Sequence, residues 1–109
     1  MPPKLSALKR GDTFSYAGFC SLPPGNWAAT CQVRSPHEPY DLLGTITVTL
    51  GTPEPDGTTP MLMQAPASIT AAWPPDVYEL DIRYVDSTGV VYHTSTVLLP
   101  VVRAITSGP

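Results

Sequence analysis

This chain of 109 residues carries little charge: Asp, Glu, Lys and Arg make up 14% of it, against roughly a quarter of an average soluble domain. The formal net charge is −3 and no Lys/Arg cluster occurs. Nucleic acid is therefore a poor partner, because phosphate binding needs concentrated positive charge. Long apolar runs are missing too, so no stretch can span a bilayer as a helix, and no membrane partner is expected. The opening, MPPKLSALKRGD, has two prolines and no apolar core of useful length, so it does not read as a signal peptide. Synthesis in a cytoplasm is the expectation. Only two cysteines are present, Cys20 and Cys31, with no C-x-x-C spacing, which weakens zinc and redox readings. They flank a turn and a disulfide is geometrically open, but two buried thiols suit a cytoplasmic protein better. Gly-rich phosphate loops are absent, and Glu54-Pro55-Asp56-Gly57 offers too few oxygen ligands for calcium. No cofactor or metal is expected.

What the chain does have is proline, 14 residues beside 8 glycines. Many sit in pairs or next to turn residues, as in Pro23-Pro24-Gly25 and Pro53-Glu54-Pro55-Asp56-Gly57. Proline cannot donate to a ladder, so these positions mark strand boundaries. Between them the apolar residues alternate. Tyr78, Leu80, Ile82 and Tyr84 interleave with Glu79, Asp81 and Arg83, the period of a half-buried strand. A second run, Val90–Leu99, follows the turn Asp86-Ser87-Thr88-Gly89, and the two predict a β-hairpin within Trp73–Val102. Its register has two solutions. A four-residue loop turns Val91, His93, Ser95 and Val97 to the core face; a three-residue loop with a bulge at Gly89 turns Tyr92, Thr94, Thr96 and Leu98 there instead.

Further strands are expected over Asp12–Cys20, Trp27–Arg34, Leu42–Leu50 and Thr59–Gln64, with a closing segment at Val101–Thr106. In the second of these, Trp27, Ala29, Cys31 and Val33 face in. In the third, Ile46, Val48 and Leu50 face in and Thr45, Thr47 and Thr49 face out. That threonine face is either solvated or covered by another subunit, where buried charge would be costly. Ala65–Ala72 allows one helical turn before Trp73, and Pro74-Pro75 ends it. Residues 1–10 form an extended arm, either frayed or docked on a neighbour through Lys4, Leu5 and Leu8. Residues 11–106 form one domain and 107–109 a tail. About seven short strands at intervals of roughly eight to twelve residues point to an all-β fold, an immunoglobulin-like antiparallel β-sandwich.

Catalytic groupings are thin. Glu79 and Asp81 project from one strand face about 7 Å apart, and Asp81 lies near His93 or Thr94 across the hairpin. The first pair has no cleft or substrate-binding aromatics around it, and the second reads better as a cross-strand polar pair than as half of a triad. The chain does not read as an enzyme.

The order of motifs resembles a family of small structural proteins of tailed-bacteriophage particles, built on immunoglobulin-like sandwiches and encoded among tail and fibre genes. The residues are Leu8-Lys9-Arg10-Gly11-Asp12-Thr13-Phe14, Trp27 with Cys31-Gln32-Val33-Arg34, and Thr70-Ala71-Ala72-Trp73-Pro74. Tyr78 to Tyr84, the Asp86–Gly89 turn and Thr94 to Thr106 complete the set. The resemblance implies an oligomeric virion component made in a bacterial host, with tail, fibre or capsid subunits as partners. Because nothing long follows Ile105, it implies an adaptor without its own fibre, or a capsid decoration protein. A host-surface carbohydrate-binding module, stacking sugars on Tyr40, Trp73, Tyr84 or Tyr92, is the alternative of another class.

Overall fold

The computed structural model describes residues 3–106; the tail expected at 107–109 lies outside them. Eight strands and one helical turn follow in the order β1 (Leu8–Lys9), β2 (Phe14–Ser21), β3 (Trp27–Arg34), β4 (Leu42–Leu50), β5 (Thr58–Ala65), α1 (Ala67–Thr70), β6 (Asp76–Asp86), β7 (Val91–His93) and β8 (Val97–Val102). The all-β expectation holds. The strands run β1-β8-β6-β3-β4-β5-β2 in one continuous order, with β7 paired to β6. The result is barrel-like rather than two separate sheets, because β4 serves both halves. Its first part pairs with β3 (Ile46 opposite Cys31) and its second part with β5 (Leu50 opposite Met61).

Alternation decides which side of each strand is buried. Along β6, Tyr78, Leu80, Ile82 and Tyr84 all point inward, and they meet Cys31 and Val33 of β3, Ile46 of β4, Met61 and Met63 of β5, and Leu99 of β8. The expected inward set of β3 is borne out, with Trp27 and Ala29 half-buried at its open end. The threonine row of β4 faces outward as expected. Helix α1 supplies the predicted single turn. Its Thr70 is fully buried, and the hydroxyl donates to the Asp12 carbonyl at 2.6 Å, tying the turn to the start of β2.

Trp73, directly after that turn, is 0% exposed and is the largest side chain of the core. Its indole lies against Gly44, where a Cβ would stand 2.9 Å from Nε1. Glycine is therefore required at 44 for close approach rather than for backbone freedom. Among the described residues the indole N–H has no acceptor, a cost of about 1–3 kcal/mol set against the burial of the whole ring system.

Two expectations need correction. The first concerns the arm. From Pro3 onward it is extended, but it is neither frayed nor free: β1 runs parallel to β8, with Leu8 opposite Val101, and Leu5 N–H bonds the Leu98 carbonyl at 2.9 Å. Leu8 is buried and Leu5 packs against the core, so their apolar side chains are occupied within the chain. The second concerns the hairpin, where each register solution fits only half of the second run. Arg83, Tyr84 and Val85 face His93, Tyr92 and Val91 across a three-residue loop, with Gly89 at φ 92°. Beyond it the register slips by one, so Leu99 and Val97 face Tyr78 and Leu80. The break falls at Thr94–Thr96. There the Ile82 N–H bonds the Thr94 hydroxyl at 2.9 Å, a side chain standing in for the missing ladder acceptor.

Asp86 holds the loop. Its Oδ1 accepts from the Thr88 hydroxyl (2.7 Å) and from the N–H groups of Thr88 and Val90 (both 2.9 Å). These bonds, the Thr88 hydroxyl first, keep its carboxyl below the usual range.

Candidate functional site: an uncharged face and a free edge

Strands β2, β4 and β5 contain no charged side chain and no histidine. Their registers place the outward residues in rows. Thr47 stands beside Gln64 and Thr49 beside Leu62; Ser15 stands beside Gln64, Ala17 beside Leu62, and Phe19 beside Pro60. Thr45 extends the row toward Gln32 of β3. The face is thus a run of Thr, Ser, Gln, Ala, Leu, Pro and Phe. Phe19 is 67% exposed, and it borders a shallow concavity of about 370 Å³ lined by Ala17, Thr49, Pro60 and Leu62. One side of β2 bonds β5; among the described residues its other edge has no main-chain partner.

The outward face of β3, β6 and β7 has the opposite chemistry. Arg34 stands opposite Glu79, and Gln32 opposite Asp81. With Tyr40 and His93 they line a polar groove of about 370 Å³. Arg34 donates to the Tyr40 carbonyl (3.2 Å) and to Gln32 Oε1 (2.9 Å), not to either carboxylate. Tyr40 sits at φ 59°, a conformation uncommon outside glycine. His93 is registered with Arg83 rather than Asp81, and among the described residues no hydrogen bond joins Asp81 to His93. The one ion pair among them, His37–Asp76 at 3.4 Å, is largely solvent-exposed. No group of three or more His, Cys, Asp or Glu among the described residues could hold a metal, and no helix is long and apolar enough to cross a membrane.

The residues singled out from the sequence separate into two groups. Thr45, Thr47 and Thr49 are exposed and belong to the uncharged face. Lys4 is exposed at the far end of the arm, while Leu5 and Leu8 are turned into the core. Of the four aromatics considered as sugar platforms, Trp73 and Tyr84 are buried, whereas Tyr40 and Tyr92 are about half exposed. Tyr92 stacks on Trp27 at 5.5 Å between ring centroids. Ala17, Phe19 and Leu62 were not anticipated as surface residues of interest. The available signal was compositional: three strand-length segments in succession along one sheet, none bearing a charge.

Both cysteines are free. They are not cross-strand neighbours, since β2 pairs with β5 while β3 pairs with β4 and β6. Burial, and secondarily the Asp81 carboxylate, pushes the Cys31 thiol up to about 12. Such a thiol is inert rather than nucleophilic at neutral pH.

No protein-family model matches this chain, and no curated protein does.

Proposed function

We propose that this chain is a non-enzymatic structural subunit of a tailed-phage particle, an adaptor in the tail, baseplate or fibre-attachment region. The observation that carries the reading is the absence of charge from the whole β2–β5–β4 surface. A charged side chain resists burial, so a face without any can be covered by a neighbouring subunit at little desolvation cost. The motif order supplies the context, and with it we read the barrel-like sheet as a variant of an immunoglobulin-like sandwich, bent at β4. The contacting residues are then Thr45, Thr47 and Thr49 with Ala17, Phe19 and Leu62. Of the three arm residues singled out, Lys4 is the one left to reach a partner, since Leu5 and Leu8 hold the arm to its own domain.

A face three strands wide and about eight residues long covers roughly 14 Å by 26 Å, well under the ~800 Å² per partner of a standard interface. It suits one contact among several in a repeating assembly of tail, fibre or capsid subunits. A capsid decoration subunit would use the same surface in the same way.

The test is incorporation. Antibody against the chain should detect it in gradient-purified particles. In a competition with equal wild-type protein, Thr47→Lys should incorporate about tenfold less, the equivalent of ~1.4 kcal/mol. Finding the chain only in the soluble lysate, or equal incorporation of both forms, would overturn the reading.

A further inference from the structure

The two ends of the strand order are built differently. At one end the arm meets β8 in two short pieces, around Lys4 and at Leu8–Lys9, with Pro3, Lys4, Lys9 and Arg10 along it. Shortness, lysine and proline are the devices that stop an edge from pairing with another chain. At the other end β2 runs for eight residues, FSYAGFCS, with no proline, no lysine and no charge of either sign. An edge of that length without any such device is a template for another strand.

Charge identifies the strand. A cationic partner could dock on any side of an acidic domain. A second copy brings the same net charge of −3 and meets least repulsion where no charge stands. That side is β2 and the sheet behind it. We infer that two copies of this chain pair antiparallel through their β2 edges, extending the uncharged sheet across a two-fold axis.

The geometry is specific. An antiparallel pair of identical strands keeps inward residues with inward residues only when opposed residue numbers sum to an even value. For β2 this puts Ala17 or Gly18 at its centre on the axis. Either choice lines up Ser15, Ala17 and Phe19 of both copies on the outer face. It also points Tyr16 of the second copy toward the core side, where the open margin of the first copy has an apolar slot of about 150 Å³. Leu5, Tyr16, Met63, Ile82 and Val97 line that slot, and Tyr16 is 45% exposed above it. The ring lies over Gly18, with Cε1 3.1 Å from where a Cβ would be, so the strand centre stays thin enough for close approach.

This inference rests on the reading of the uncharged sheet as a contact surface and adds which partner takes its edge. Sedimentation velocity on the purified chain, from about 1 μM to about 1 mM, spans the affinity range of a weak to moderate dimer. Wild type should shift from monomer to dimer, and hydrogen exchange at the β2 amides should slow across the same range. Ala17→Lys, at an exposed outward position, should weaken the dimer at least tenfold with an unchanged melting temperature. Ser15→Lys on the same row is the companion variant, so a folding defect at one position does not decide the result. Glu79→Gln on the charged face should dimerise like wild type. A wild type that stays monomeric, a dimer indifferent to both lysine variants, or a dimer without β2 protection would overturn the inference. Monomers that still incorporate into particles would remove the pairing and leave the subunit reading standing; dimers absent from particles would do the reverse.

Discussion

Strands β5 and β6 each bury one side in the same core, Met61 and Met63 from the first meeting Leu80 and Ile82 from the second. Their outward sides differ completely. β6 presents Glu79, Asp81 and Arg83, while β5 presents Pro60, Leu62 and Gln64. The neighbours extend the difference, with Arg34 and His93 on the β6 side and only uncharged residues on the β5 side. Water tolerates either surface, but a covering protein does not, since each unpaired charge it buries costs free energy. The contrast therefore separates a side suited to solvent from a side suited to contact, on a domain whose interior favours neither.

The largest effect comes from breaking what the two sides share. Trp73→Ala should cost about 3–5 kcal/mol in urea unfolding, because the ring fills the interior between them. Gly44→Ala should cost about 1–3 kcal/mol by overpacking, since its methyl would press on the indole nitrogen. Both should lower stability without regard to which side is assayed.

Matched surface changes tell the two sides apart. Thr47→Lys should reduce particle incorporation about tenfold, whereas Arg83→Gln should leave it unchanged. Neither should move stability by more than ~0.5 kcal/mol, as both sites are exposed.

Alkaline titration probes the interior from the charged side. The Cys31 thiol titrates near 9 when free and is pushed up to about 12 by burial and by Asp81. The unfolded chain thus releases this proton first and binds fewer protons than the folded one, so stability falls as pH rises from about 9 to about 12. Tyr84, raised mainly by burial, acts in the same direction. Cys31→Ala should flatten part of that decline in pH-dependent unfolding. The smallest effect concerns salt. Two acidic copies meeting through neutral strands should associate slightly more tightly as salt screens their remote charges, and a dimer weakened by salt would point to ion pairs instead.

Most strands were legible in the sequence because strict alternation leaves little choice of buried side. Ile46/Val48/Leu50 against Thr45/Thr47/Thr49 is the clearest case. The arm was not, because two residues of parallel pairing produce no period; only Leu5 and Leu8 hint at it, and an isolated leucine fits a frayed end as well. The second hairpin run was legible as β but not in register, since no sequence period records a slip at Thr94–Thr96. Trp73 stood out in sequence, but its burial depends on Gly44, which lies 29 positions earlier and becomes a neighbour only in the fold. The threonine row of the candidate site was visible in one strand, and the face became visible only once β2 and β5 were laid beside it.

Hydroxyl-radical footprinting of the chain, free and assembled in particles, reads which side is covered. Phe19 and Leu62 should lose reactivity on assembly while Tyr40, on the charged side, keeps its own. Protection of Tyr40 with Phe19 still reactive would place the contact on the opposite side and contradict a contact through the uncharged face.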